Sequence, residues 1–171
     1  DYQSGIIKFV LGRERRWRYL ISKIVAAAFS GGIVILSGLL FMVLLAIIIF
    51  VPMEGMNPGK REVSETLLMI IKLLCRYFCF GMLGGVVGLY VSTKSNCRFM
   101  AWFSSFIAEY LLIILVERYC PALYIIYPKE WLKPSQKWPL DSWSVCFWLL
   151  LMAFSVSGSF FKAAMRRLED V

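Results

Sequence analysis

The stretch IVAAAFSGGIVILSGLLFMVLLAIIIFV, residues 24–51, contains no charged residue across its 28 positions and ends just before Pro52. About 20 apolar residues are enough to cross the hydrocarbon core of a bilayer, so a run of this length can span a membrane with room for tilt. This stretch alone predicts an integral membrane protein.

Three later apolar stretches are also predicted spans, at about 67–91, 99–116 and 143–161. The first of these carries Lys72 and Arg76 in its outer half, the next is interrupted only by Glu109, and the last has no charge. Together with residues 24–51 they predict an all-α integral membrane protein, a four-transmembrane-helix bundle formed by residues 24–171 as a single domain.

Composition excludes several classes of function. Hydrophobic residues make up 60% of the chain, against about 45–50% in soluble proteins. The chain has no histidine, which removes the commonest general base and metal ligand, and no phosphate-binding or nucleophile motif is found. We therefore predict no catalytic residue, cofactor or metal, and no enzyme. The net charge of +8 is assigned to anionic lipid headgroups, not to nucleic acid.

Charge distribution predicts the orientation. If both termini are cytoplasmic, eleven Lys and Arg residues lie inside and six lie outside, not counting the two within a span. The positive-inside rule favours this arrangement, in a plasma or inner membrane, with residues 117–142 as an external loop.

Residues 1–23 are predicted to form a basic amphipathic helix in the cytoplasmic interface. Apolar residues recur at helical spacing, and the arginines on the other faces would contact lipid headgroups. These arginines are Arg13, Arg15, Arg16 and Arg18. The alternative is a docking helix for a cytoplasmic partner.

The external loop is rich in proline, tyrosine and tryptophan. Its four prolines exclude one long helix, and the aromatic residues favour a broken segment at the outer membrane–water interface. Exposed aromatic residues also form binding hot spots, so the loop is the preferred partner-binding site. The candidate contact residues are Tyr124, Tyr127, Trp131 and Trp138. Cys120 and Cys146 bound the loop and could form a disulfide in an oxidising compartment.

Arg76 and Glu109 are the candidate intramembrane ion pair. They belong to consecutive antiparallel helices and differ in depth by roughly 9 Å, a gap that a long arginine side chain can largely close. An unpaired charge at mid-bilayer is costly, so a structural pair is favoured over the alternative of a proton or cation site. Lys72, one turn from Arg76 on the same face, is expected to extend to the outer surface.

Small residues in the second span predict close helix packing. Gly81, Gly84, Gly85 and Gly88 form two overlapping small-xxx-small pairs, which favour packing inside the bundle over homodimerisation. Cys75 and Cys79 lie in the same span and are expected to be buried free thiols, because two cysteines without histidine make a poor metal site.

The predicted function is non-enzymatic. The chain is expected to act by protein–protein interaction within or at the membrane, as a subunit of a membrane assembly or as an immunity or exclusion protein that blocks a membrane-active partner. The expected partner is another membrane or envelope protein, with a homo-oligomer as an alternative. The competing hypothesis is a small oligomeric transporter or channel that uses Glu109 and Arg76.

Overall fold

The structure is a computed structural model that describes residues 16–54, 60–95, 98–119, 124–133 and 142–169 of the 171-residue chain. The described residues form helices and short connecting turns. In chain order the helices are α1 (Arg16–Glu54), α2 (Lys60–Ser95), α3 (Arg98–Tyr119), a 3-10 turn (Tyr124–Ile126), α4 (Pro128–Leu132) and α5 (Ser142–Glu169).

Among the described residues, three helical stretches are long and apolar enough to cross a membrane: Arg16–Ile49, Leu67–Ser95 and Trp143–Arg166. Helix α1 needs a lipid environment most clearly, because only 6% of its most apolar stretch is buried by the rest of the chain. Soluble monomers rarely expose so much contiguous apolar surface. The all-α membrane architecture predicted from the sequence is confirmed at this level.

Helix α2 is the centre of the fold, since it packs against α1, α3 and α5. Its glycines serve two different contacts. Gly81 and Gly85 lie against Gly31 of α1, where the two backbones touch without intervening side chains. Gly84 faces α3 instead, and a Cβ atom there would lie 2.8 Å from the Ser105 hydroxyl oxygen. Gly88 is also buried.

Two apolar clusters hold the bundle together, one towards each end. The larger joins α2, α4 and α5 through residues that include Phe80, Trp131 and Leu149. The smaller joins α1 to the far end of α5 through Leu20, Phe160 and Ala164. Apolar contacts therefore hold the helices together near both ends of the bundle, while much of α1 between them remains exposed.

Helix boundaries differ from the sequence prediction at the start of the chain. The interfacial helix was predicted to end at residue 23, yet α1 runs without a break from Arg16 into the first span. Residues 1–15, which hold most of that predicted helix, lie outside the described part of the chain. Between α3 and α5, the 3-10 turn and the five-residue α4 are short pieces separated at Tyr127, and Pro128 occupies the start of α4.

Candidate functional site

Arg76 is buried in the interior of the bundle. It is 7% exposed, and its Nε atom has no hydrogen-bond partner in the part of the chain that the structure describes. The guanidinium lies within electrostatic range of the Cys146 thiol on α5. A buried cation with an unpaired donor is costly, so this position requires a compensating acceptor or anion.

Three thiols meet beside Arg76. The Sγ atoms of Cys75, Cys79 and Cys146 all lie within 4.8 Å of one another. Cys75 and Cys79 are one turn apart on α2, and Cys146 comes from the start of α5. Cys79 and Cys146 are buried, and Cys75 is half-buried. All three are free thiols, so Cys146 is not disulfide-bonded here; Cys120, its predicted partner, lies outside the described residues.

A recess adjoins this cluster. It is lined by Lys72, Cys75, Trp143 and Cys146 and is too narrow to admit a water molecule. Trp143 is 57% exposed, so the recess lies near the surface of the bundle at the end where α5 begins. Lys72, predicted to extend outward, lines this recess.

Glu109 is not paired with Arg76. The Ser105 hydroxyl donates a hydrogen bond of 3.4 Å to Glu109 Oε1, and this is the one hydrogen bond of that carboxyl within the described part of the chain. Gly84 and Ser105 are in contact, which fixes the register of α2 against α3. Measured from this contact, Arg76 lies about 12 Å along α2 and Glu109 about 6 Å along α3. Both distances run in the same direction because the helices are antiparallel, so the two residues differ in depth by about 6 Å.

Arg76 and Glu109 are kept apart less by their difference in depth than by the directions in which their side chains point. Arg76 shares its face of α2 with residues that pack on α4 and α5, such as Cys79 and Phe80. Glu109 follows the Ser105 stripe of α3, which faces Gly84. The ion pair predicted from the sequence therefore does not form in the structure.

The aromatic loop is tied to the end of α3 by a polar contact. The Tyr127 hydroxyl and the Lys129 ammonium donate to the same atom, Glu117 Oε1, at 2.5 and 2.6 Å. Hydrogen bonds from Lys129 and then Tyr127 hold the pKa of the Glu117 carboxyl below its ordinary value. Glu117 thus orders the loop as an ionised group at neutral pH, although its exposure to solvent limits the energy of the contact.

Trp131 corrects the prediction of an exposed aromatic surface. Its side chain is 0% exposed, its ring packs edge-on against Phe80 at 6.4 Å, and its indole N–H donates to the Ile125 carbonyl at 2.7 Å. Because it is enclosed by its own chain, Trp131 cannot serve as an exposed contact residue. Trp138 and the Tyr124 side chain lie outside the described residues.

The start of α1 carries cations beside aromatic rings; Arg18 is exposed and Lys23 is half-buried. The Arg18 guanidinium lies 5.5 Å from the Trp17 ring centre, and the Lys23 ammonium lies 4.9 Å from that of Tyr19. Arg16 is also exposed. Aromatic and basic residues at a helix end are typical of the headgroup region. Arg13 and Arg15 precede the described residues.

Comparison of the chain with protein-family models, curated proteins and solved structures gives no match. We therefore infer the function from the chemistry of the described residues.

Proposed function

We propose that α3 is a fourth membrane span, covering residues 99–116, and that both termini are cytoplasmic in a plasma or inner membrane. Three observations support this proposal. Helix α3 has 22 residues, about 33 Å, which matches the hydrocarbon thickness. Glu109 is the one charged residue between Phe99 and Val116. The distribution of Lys and Arg favours this orientation, and residues 1–23 then contact anionic headgroups on the cytoplasmic side.

Thiol labelling of intact cells tests this topology. Cys97 precedes α3 and Cys120 follows it. A membrane-impermeant maleimide is expected to modify Cys120 in intact cells and Cys97 only after permeabilisation, as measured by mass spectrometry of the corresponding peptides. Labelling of both residues from the same side would contradict a crossing by α3, and the reverse order would invert the orientation.

The function we propose is non-enzymatic: the protein is a membrane subunit that acts by contact with another membrane protein. The observation that carries this proposal is Glu109, an acid within the apolar stretch of α3 whose hydrogen bond within the chain is a long one to Ser105. A charged carboxylate at mid-bilayer costs about 2.5–3.5 kcal/mol on insertion scales. A donor on a partner helix would offset that cost.

The surface beside Glu109 is suited to such a helix. Phe106 and Tyr110 are 72% and 65% exposed, and Phe106 lies one turn before Glu109 on the adjoining face. Large aromatic side chains around one central polar group are typical of interaction hot spots. The partner in this proposal is a spanning helix that presents a cation or a hydrogen-bond donor opposite Glu109.

A different protein is favoured over a second copy of this chain. Arg76 is a cation of the predicted spans, but its own bundle buries it, so it is inaccessible to Glu109 of another copy. A partner of this kind fits a subunit of a larger membrane assembly or a membrane-active protein that this chain blocks.

The transporter hypothesis is less well supported by the arrangement of charges. A path lined by both Glu109 and Arg76 requires the two side chains to face one passage. Instead, Arg76 lies near Cys146 and Glu109 lies beside Ser105.

Substitution of Glu109 tests the proposed function and separates it from transport. Glu109→Leu removes the acceptor and is expected to weaken the complex with the partner by about 10–100-fold, because a hydrogen bond to a charged group contributes about 1.5–3 kcal/mol. The amount of partner retained during mild-detergent purification measures this effect, with Glu117→Gln at the end of the same helix as the matched control.

The same variants distinguish the alternative. Reconstituted alone in proteoliposomes, the wild-type chain is expected to carry no proton or cation flux. Flux by the chain alone that is abolished by Glu109→Gln would overturn the interaction proposal. Undiminished partner retention in a folded Glu109→Leu variant would overturn it as well.

A further inference from the structure

We propose that Cys75, Cys79 and Cys146 form a binding site for one thiophilic monovalent cation, Cu(I). Sulfur–metal bonds of about 2.3 Å in a trigonal site place the sulfur atoms about 4.0 Å apart. The three Sγ atoms already lie within 4.8 Å of one another. Side-chain rotation of less than about 1 Å at each sulfur would close the site, so no movement of α2 or α5 is needed.

The ligand chemistry selects the metal. The group consists of three thiols, and no carboxylate or imidazole belongs to it within the described part of the chain. Soft thiolates favour Cu(I) and Zn²⁺ over Mg²⁺, Ca²⁺ and Mn²⁺. A structural zinc site almost always has four protein ligands, whereas three sulfurs suffice for trigonal Cu(I).

Arg76 supplies a second and independent observation. Arg76 follows Cys75 directly on α2 and is 93% buried, and its charge acts on the Cys146 thiol. Its Nε donor has no hydrogen-bond partner among the described residues. When Cu(I) binds, three S–H bonds break, three protons leave to solvent and three Cu–S bonds form, with no change in the oxidation state of copper. The bound site then carries a formal charge of −2, and Arg76 partly neutralises it. The cation that is poorly compensated in the free protein thereby gains an anionic partner.

The recess marks the end of the bundle at which the sulfurs lie nearest to the surface. Cys75 and Cys146 line it together with Lys72 and the exposed Trp143. A cation arriving at this end of the bundle would meet the half-buried Cys75 first, before the buried Cys79 and Cys146. This order of exposure suits transfer of a metal from a carrier by exchange of one thiolate at a time.

A competition titration tests the site directly. The full chain, reduced and purified in detergent without oxygen, is titrated with Cu(I) in the presence of a chromophoric Cu(I) chelator. We expect one Cu(I) per chain to be withdrawn from the chelator, and Cys79→Ser or Cys146→Ser to weaken binding by about 100-fold or more. Cys97→Ser and Cys120→Ser leave all three cluster thiols in place; these variants are the matched controls and are expected to bind as the wild type does.

Alkylation of the wild-type protein gives a second readout that requires no variant to fold. One equivalent of Cu(I) is expected to protect Cys75, Cys79 and Cys146 from a maleimide and to leave Cys97 and Cys120 reactive. The proposal is overturned if the wild type takes no Cu(I) from the chelator, or if a variant with all three cluster cysteines changed to serine binds as tightly. Protection of Cys97 or Cys120 in place of the cluster would also overturn it. These outcomes are independent of the Glu109 contact, which lies at a different interface.

Discussion

Trp131→Ala is expected to reduce the stability of the folded protein by about 3–5 kcal/mol, as substitutions of buried tryptophan and phenylalanine by alanine do. Trp131 is completely buried and fills the space between α4 and Phe80 of α2. Its removal leaves a cavity in the larger cluster and an unpaired carbonyl at Ile125. The loss of stability is measured by thermal or denaturant unfolding in detergent micelles.

The matched control is Trp143→Ala. Trp143 lies at the same end of the bundle but is 57% exposed, so its removal is expected to cost less than about 1 kcal/mol. Trp131→Phe should fall between the two, because the ring remains and the hydrogen bond to Ile125 is lost. If Trp131→Ala is no more destabilising than Trp143→Ala, Trp131 is not part of the core.

Gly81→Ala and Gly85→Ala are expected to separate α1 from α2. A Cβ atom on Gly81 would lie 2.6 Å from the Gly31 carbonyl oxygen and 2.9 Å from the Gly32 Cα atom. A Cβ atom on Gly85 would overlap the Ala27 carbonyl oxygen. Because all three of these are backbone atoms, only movement of a whole helix relieves the overlap, at a cost of about 1–3 kcal/mol or more.

Gly38→Ala is the control for this pair. A Cβ atom on Gly38 meets nothing within 4 Å among the described residues, and alanine is a better helix former than glycine by about 1 kcal/mol. We therefore expect Gly38→Ala to be neutral or mildly stabilising in the same unfolding assay. Equal melting temperatures for the Gly81 and Gly38 variants would contradict the close contact between α1 and α2.

Much of the membrane architecture could be predicted because apolar run length is a direct physical requirement of the bilayer. Residues 24–51 and 143–161 lie within helices that can cross a membrane. The glycine spacing likewise predicted close packing. Spacing alone did not indicate that Gly81 and Gly85 face α1 while Gly84 faces α3, because several helices compete for the central one.

The contacts of the charged groups and of the thiols could not be predicted from the sequence. Distance along the chain estimates the depth of a side chain in the membrane, but the direction in which it points depends on tertiary packing. That is why Arg76 was predicted to meet Glu109, although it is buried on the side of α2 that packs against α4 and α5. The thiol cluster was missed because its third member is 67 residues from Cys79. The signal available in the sequence was that Cys75 and Cys146 both belong to the outer halves of their predicted spans.

The aromatic loop illustrates a different limit. Composition placed tyrosine and tryptophan at the membrane surface, which is where such residues are enriched. Composition does not distinguish a tryptophan that is buried at the end of a bundle from one that is exposed and binds a partner. Burial of Trp131 and the contact of Tyr127 with Glu117 became evident only from the packing of α4 against α2 and α3.

Site-specific photo-crosslinking in native membranes tests the proposed partner contact most directly. A photoreactive amino acid at Phe106 lies one turn from Glu109, whereas one at Leu111, which is 60% exposed, points about 160° away from Glu109 around α3. We expect illumination to join the Phe106 variant to one other membrane protein. This adduct should be lost with Glu109→Leu, and the Leu111 variant should give none. Equal adducts from both positions, or no protein adduct at Phe106, would contradict the proposed partner contact.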